Sequence, residues 1–192
     1  GLTAMQIRCD RCPLRQLPSF QAFTGADIRA TQALKNGELR VAAGMPILEE
    51  GTTSPQLFTV LSGQGIRFKT LQSGRRQVLS FVFPGDFLGL QAAVMEEMAH
   101  SVESTTDMVL CVFDRKDLRK LYREAPERAF DVTWVAAEEE SMLAESLTSV
   151  GQSTAVERVA WAVLRLLQRA RIAGMAKDNG APMPFRQADF AD

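Results

Sequence analysis

Glycine punctuation between residues 56 and 90 constrains the fold more than any other feature of this chain. Three strand-like apolar runs, Leu57 to Leu61, Ile66 to Leu71 and Val78 to Phe83, are separated by Ser62-Gly63, Ser73-Gly74 and Pro84-Gly85-Asp86. A tight turn needs φ > 0, and glycine reaches it without a Cβ clash. The stretch therefore predicts two β-hairpins followed by a short buried turn. Gly37, Gly44, Gly51, Gly63, Gly74 and Gly85 recur at intervals of seven to twelve residues. That spacing suits a compact antiparallel roll or jelly roll and leaves no room for helical crossovers.

The flanking segments read as helices. Thr24 with Asp27 three residues on predicts a helix start, and Asn36-Gly37 its stop. Residues 38 to 113 form the β-rich body, with its last strands at Ser101 to Thr106 and Met108 to Phe113. Asp114 is expected to cap a short helix carrying Leu118, Leu121 and Tyr122 on one face. Pro126 opens a long helix running to about Ser149, with Gly151 as its breaker. Phe130, Trp134, Ala137, Ser141, Ala144 and Thr148 follow a 4-3-4-3-4 spacing, and Val132, Val135, Met142, Leu143 and Leu147 make a second stripe. Two apolar stripes need two partners: the roll covers one, and a second copy of the same helix is expected on the other. Phe130 and Trp134 are the expected anchors of that homodimer, with Ala137, Ser141 and Ala144 beside them. Thr154 and Glu157 predict a capping box for a further helix, with Val156, Val159, Ala160, Val163, Leu166, Leu167 and Ala170 inward. A final polar helix is expected from about Arg186.

A roll followed by a long helix is a sensor architecture more often than a catalytic one, and the composition agrees. A single histidine cannot supply the His cluster of metal-dependent jelly-roll enzymes. The sequence has no Walker A loop, no dinucleotide fingerprint after a strand and no G-x-S-x-G elbow. Glu96-Glu97 and Glu138-Glu139-Glu140 read as solvated helix surface. No enzyme is expected. Net charge is −1 at a pI of about 6.0, so bulk charge does not point to nucleic acid, although a local basic face would suffice. No apolar run is long enough to span a membrane. Three cysteines suit a reducing compartment and not a disulfide scaffold, so a bacterial-type cytoplasmic location is expected.

Taken in order, CDRCPLR (9–15), TVLSGQGIRFKTLQSGRRQ (59–77), PGDFLGL (84–90), HSVESTTDMVLCVFDR (100–115) and GQSTAVERVAWAVLRLLQRA (151–170) resemble the Crp/Fnr family of bacterial transcription regulators, Fnr/FixK branch. PFRQADFAD (184–192) resembles the first helix of that family's winged helix-turn-helix. The resemblance implies an α+β chain: a cyclic-nucleotide-binding-like antiparallel β-roll, a long dimerisation helix and the start of a winged helix-turn-helix. The implied divisions are an arm over 1–19, a sensor roll over 20–125, a dimerisation helix over 126–150 and an incomplete DNA-binding domain over 151–192. The sequence is expected to be a piece of a longer protein, with the recognition helix and the DNA-binding residues outside it. DNA, for the full-length protein, and RNA polymerase are the implied partners, the latter through the turn Gln72 to Gln77 with Arg75 and Arg76, which on its own residues reads as a solvated hairpin tip. A stand-alone cyclic-nucleotide-binding module is the rival reading, and the start of a helix-turn-helix at 184–192 speaks against it.

The resemblance also places an effector pocket around Gly85, Asp86, Gly89, His100 and Ser101. Nucleotide-binding relatives have Gly-Glu in the turn and an Arg followed by Ser or Thr further on. Here Leu90 stands where the ribose carboxylate would be and His100 where the phosphate arginine would be, so cyclic AMP is not the expected ligand. Cys9-x-x-Cys12 lets two thiolates from the arm reach one metal, and Cys111 aligns with the distant cluster cysteine of oxygen-sensing Fnr proteins. Cys9, Cys12 and Cys111 are thus candidate ligands of a [4Fe–4S] cluster. Pro18 lies near the place of the family's third N-terminal cysteine, so a carboxylate such as Asp10 or Asp107, a water or another group must complete the set. The alternatives are a thiol redox pair, a zinc half-site or plain core residues. Haem is disfavoured, because one histidine cannot give bis-His ligation.

Overall fold

The structure, a computed structural model, describes residues 7–18, 20–152, 154–177 and 180–185. Short 3-10 turns at Cys9–Arg11 and Pro13–Gln16 lead into helix α1 (Gly25–Leu34). The predicted capping box starts it: Asp27 N–H donates to Thr24 Oγ1 (3.1 Å) and Thr24 N–H to Asp27 Oδ2 (2.9 Å). Asn36-Gly37 is not its stop. The helix ends at Leu34, and Lys35–Val41 is already strand β1, irregular between Lys35 and Gly37. The chain leaves the helix early because Lys35 turns inward, where its ammonium meets the Glu38 carboxylate at 2.7 Å with both side chains buried.

Seven further strands follow: β2 (Pro46–Leu48), β3 (Gln56–Ser62), β4 (Gly65–Thr70), β5 (Arg76–Val82), β6 (Phe87–Leu88), β7 (Ser101–Ser104) and β8 (Met108–Asp114). They form two four-stranded sheets, ordered β1-β8-β3-β6 and β2-β7-β4-β5. Every pairing is antiparallel. Val60, Ile66, Val82, Leu88, Val102, Leu110 and Val112 are almost wholly buried. Most of them pack with Phe58 and Met108 as the roll's core.

Of the two predicted hairpins, only β4–β5 is one. β3 and β4 lie in different sheets, and Gly63-Gln64-Gly65 carries the chain across the edge of the roll. A hairpin turn and a sheet-to-sheet corner ask for the same glycine, so the sequence pattern does not separate them. The corner does need it: Gly63 has φ +91°, and a Cβ there would stand 2.4 Å from the Asp107 carbonyl oxygen. Gln64 is held on both sides, its N–H donating to Thr106 Oγ1 (2.8 Å) and its carbonyl accepting from Thr105 N–H (2.8 Å).

Helix α2 (Leu90–Met95) sits between β6 and β7. After β8, a 3-10 turn at Arg115–Asp117 leads into α3 (Leu118–Glu124); Asp114 stands at the N-cap of the turn but makes no side-chain capping bond. The long helix α4 (Pro126–Gln152) passes through Gly151 instead of breaking there. One glycine in a helix costs only about 1 kcal/mol against alanine. Val132 and Val135 are buried, while Phe130 is 54% exposed and Leu147 75%. The predicted Thr154–Glu157 capping box opens α5 (Ala155–Ile172). Its inward face is shorter than expected. Leu166, Ala170 and Ala173 pack on Phe83 of the roll, with Phe81 and Phe185 beside them. Val156, Val159, Ala160 and Val163 are exposed, because the first half of α5 lies beyond the roll. The helix expected from Arg186 lies outside the described residues. Among the described residues no helix is long and apolar enough to cross a membrane.

Gly63→Ala should destabilise the chain by roughly 2–4 kcal/mol, adding a backbone clash to left-handed strain. Gly74 has φ +79° but open space around it, so Gly74→Ala should cost only about 1 kcal/mol. Urea unfolding followed by circular dichroism checks the ranking, and equal losses would contradict the corner assignment.

Candidate functional site

The residues expected to hold an effector in the roll are committed to the fold itself. Gly85, at φ +97°, donates its N–H to the Val60 carbonyl (2.9 Å) and packs under Leu17 of the arm. Gly89, at φ +90°, is the N-cap of α2. Ser101 Oγ accepts from Glu50 N–H at 3.0 Å. Asp86 is 4% exposed; its Oδ2 accepts from Phe83 N–H (3.1 Å), and its Oδ1 pairs with Arg169 of α5. Burial and the nearby Arg67 and Lys69 cations push the His100 imidazole down to about 4. At neutral pH it carries no charge for a phosphate. The open cleft beside β2 and β7, lined by Glu49, Glu50, Phe68 and Thr70, includes Ser101 but none of the other four expected residues.

The cation that matters here is Arg67, which the sequence reading missed. It is 2% exposed. Its Nε lies 2.8 Å from Glu139 Oε1 of α4, and its Nη1 3.6 Å from Asp86 Oδ2. Its Nη2 donates to the Phe87 carbonyl at 3.2 Å. Two guanidiniums (Arg67, Arg169) and two carboxylates (Asp86, Glu139) thus join the roll, α4 and α5. Burial lifts the Glu139 carboxyl above its usual range, although Arg67 beside it pulls the other way. Glu139 is therefore not the solvated surface residue its acidic run implied. The missed signal was an arginine inside the strand run Ile66 to Leu71.

On the opposite side of the roll the three cysteines come together. Cys9 and Cys12 of the arm and Cys111 of β8 line one cavity of about 100 Å³. Cys9 and Cys111 are buried, and Cys12 is partly so. Arm, α1, β3, β8, α3 and the start of α4 all contribute to its wall. The arm is pinned there by charge. Lys35 Nζ donates to the Ile7 carbonyl (2.6 Å) and to Glu38 Oε1 (2.7 Å); Ile7 N–H also donates to Glu38 Oε1 (2.6 Å). Cys9 N–H donates to Gln32 Oε1 of α1 at 2.8 Å. Burial raises all three thiols, and Cys111 reaches about 12 although Lys35 works against the shift.

The segment that follows the arm grips the long helix directly. Gln21 N–H donates to Asp131 Oδ1 (3.0 Å), and Arg128 Nη2 donates to the Gln21 carbonyl (3.0 Å). Arg128 also pairs with Asp131 at 2.7 Å and lies over the Phe23 ring, 3.8 Å from its centroid. Arg128 and Asp131 are both nearly buried.

The thiols are gathered, but the donor set does not fit a metal group. Among the described residues no three His, Cys, Asp or Glu side chains are placed to hold an ion. A [4Fe–4S] cluster takes four protein ligands, whereas the sequence has three cysteines and a buried ammonium, Lys35, stands beside them. The carboxylates considered as a fourth donor are elsewhere. Asp10 is on the surface, paired with Arg8 at 3.2 Å, and Asp107 Oδ1 accepts from Ala43 N–H at 3.0 Å. The expected dimer stripe faces outward: Phe130, Ala137, Ser141 and Ala144 are exposed and Trp134 is half-buried, whereas Thr148 is among the side chains left undescribed.

Residues 38–125 match the cyclic nucleotide-binding domain family. The chain is similar to the transcriptional activator protein FnrL of Cereibacter sphaeroides, 24% identical over 178 residues that cover 93% of this chain and 70% of FnrL. It is similar to the nitrogen fixation regulation protein FixK of Bradyrhizobium diazoefficiens, 25% identical over 184 residues, 96% of this chain and 76% of FixK. Among solved structures, FixK2 from Bradyrhizobium japonicum matches with a TM-score of 0.68 at 25% identity, over 80% of this chain and 74% of that one.

His100 generates a pH prediction. Its folded value of about 4 lies below the usual 6.5. Between those values the unfolded chain binds a proton that the folded chain does not, so stability falls as pH drops through the window. The loss attributable to this group is on the order of 2–3 kcal/mol. His100→Gln should flatten the slope of unfolding free energy between pH 6.5 and 4, and an unchanged slope would remove the assignment.

Proposed function

Because the chain belongs to the Crp/Fnr family of bacterial transcription regulators, on its Fnr/FixK branch, we propose that it is a one-component, DNA-binding regulator that takes its signal at the N-terminal arm, on the outer face of the roll. The observation that carries the reading is the grip of Gln21, two residues past the arm, on Arg128 and Asp131, which ties the end of the arm to the first turns of α4. A change at the arm then changes packing at α4, and with it the spacing of two DNA-binding heads in a homodimer. Cyclic nucleotide is not the signal in this reading. Arg67 is already answered by Glu139 and Asp86, and His100 offers no cation.

Residues 1–19 then act as the arm, 20–125 as the sensor roll, 126–150 as the dimerisation helix and 151–192 as the beginning of the DNA-binding region, in a cytoplasmic protein. Phe130 and Trp134 anchor the dimer, with Ala137, Ser141 and Ala144 along the same stripe. RNA polymerase is the partner for the turn Gln72 to Gln77. There Arg76 is committed to Glu103 (3.0 Å) and to the Phe68 ring (3.7 Å), and Arg75 is exposed. The relatives are regulators and not enzymes, and the reading includes no catalytic step.

The convergence of Cys9, Cys12 and Cys111 favours a second, redox reading. Iron and sulfide analysis of anaerobically purified protein separates the two. The arm reading expects iron well below one equivalent, unchanged in Cys111→Ser. Stoichiometric iron and sulfide lost in that variant would establish the cluster instead.

Trp134→Glu should halve the mass seen by light scattering and, introduced into the protein expressed from its own chromosomal gene, remove the promoter sites recovered by chromatin immunoprecipitation of the wild type. A dimer of unchanged mass would remove Trp134 as an anchor. Uniform background from the wild type itself would overturn the regulator reading.

A further inference from the structure

We propose that the thiol-lined cavity is a binding site for a small uncharged ligand, no larger than a single six-membered ring and carrying at most one polar atom. The proposal rests on the reading that the arm receives the signal, and it names what the arm receives.

Size comes first. About 100 Å³ is several times the ~30 Å³ share of one water, and it is below the ~150 Å³ of an apolar cavity that stays dry and takes benzene or xenon. Leu34, Leu57, Phe87, Phe113 and Leu121 give the wall its character. A charged ligand entering there would lose its hydration, and of the wall's carboxylates Asp131 is paired with Arg128 and Asp114 with Lys116, with Asp117 beside them. The one guanidinium in the wall, Arg128, is already bound by Asp131 and Gln21. The three free cysteines add small, soft surface to the wall.

A second, independent observation fixes the polar atom. Thr31, on the cavity wall in α1, has a buried hydroxyl with no hydrogen-bond partner; Arg128 Nε, Arg128 Nη1 and Asp131 Oδ2 on the same wall also lack one, but the last two face each other as an ion pair at 2.7 Å. A buried hydroxyl left unpaired is costly, and a ligand oxygen or hydroxyl at the wall would satisfy it. The position gives such a ligand leverage. Its wall includes the arm, the sheet and the Arg128–Asp131 turn of α4, so an occupant touches both sides of the arm–helix grip.

Benzene and phenol are the probes, titrated into the reduced 192-residue chain, with thermal unfolding and calorimetry as readouts. Both should raise the unfolding midpoint in a concentration-dependent way. Thr31→Val should leave benzene affinity unchanged and weaken phenol roughly two- to tenfold, the worth of one hydrogen bond. Cys12→Leu and, independently, Leu121→Phe fill the space and should abolish both responses. No response of the wild type to either probe overturns the proposal, whatever the variants do. An equal response in a folded filled-cavity variant overturns it too, since binding would then lie elsewhere. Stoichiometric iron and sulfide in the anaerobic protein would also overturn it, because a cluster would own the space. Binding is read without DNA, so its failure counts against the pocket alone and leaves the arm reading to the promoter experiment.

Discussion

Arg67 is a cation placed where water cannot reach it, and the joint between roll and helices is arranged around that fact. An isolated buried charge costs several kcal/mol, and removing one partner of a buried pair is commonly worth 3–5. The answer to Arg67 comes from two elements: Asp86 in the turn before β6 and Glu139 on α4. Asp86 also receives Arg169 from α5. The network therefore fixes where the long helix crosses the roll and where α5 returns to it. The apolar contacts of Leu166, Ala170 and Ala173 on Phe83 lie beside this joint and depend on its geometry.

A second joint of the same kind holds the other side. Lys35 and Glu38 form a buried pair whose spare hydrogen-bonding capacity is taken by the backbone of Ile7. That pair explains an otherwise odd sequence feature, a Lys-Asn-Gly-Glu run where a helix ends and a core strand begins. It also explains why an arm with little periodicity has a definite place. Gln21 extends the same hold onto α4 at Asp131, eight residues before Glu139, or about 12 Å along the axis at ~1.5 Å per residue.

What was legible in the sequence was local. The capping boxes at Thr24 and Thr154 stand where Ser/Thr-x-x-acid patterns put them, because a cap is made within four residues. The strands and glycine turns were readable for the same reason, and the cyclic nucleotide-binding match over 38–125 agrees with the roll they imply. The misreadings were decided by distant partners. Gly63 reads as a hairpin turn until Asp107 and Met108 are seen beside it. Glu139 reads as surface until Arg67, seventy-two positions earlier, is seen to need it. Asn36-Gly37 reads as a helix stop until Lys35 is drawn in by Glu38. The meeting of Cys9 and Cys12 with Cys111 had no local signal, since it requires the arm to fold back over β8. Family resemblance, not periodicity, was what joined them.

The two joints divide the work along α4. At Asp131 the helix is held by Gln21 at the end of the arm, beside a cavity with a largely apolar wall. At Glu139 it is held by a charge network that also fixes α5. A helix gripped at two points transmits a displacement only if one grip is more compliant than the other. On the proposed reading the compliant one is the arm, two short 3-10 turns beside the cavity, seated by Leu14 and Leu17 on Leu61, Cys111 and Phe113. The stiff one lies between charges that cannot part without leaving one unpaired in the interior. On the proposed reading, shifting the arm would pivot the first turns of α4 about the Arg67–Glu139 contact. Phe130 and Trp134 sit on those first turns, so the end of the helix that would move is the end that carries the proposed dimer anchors.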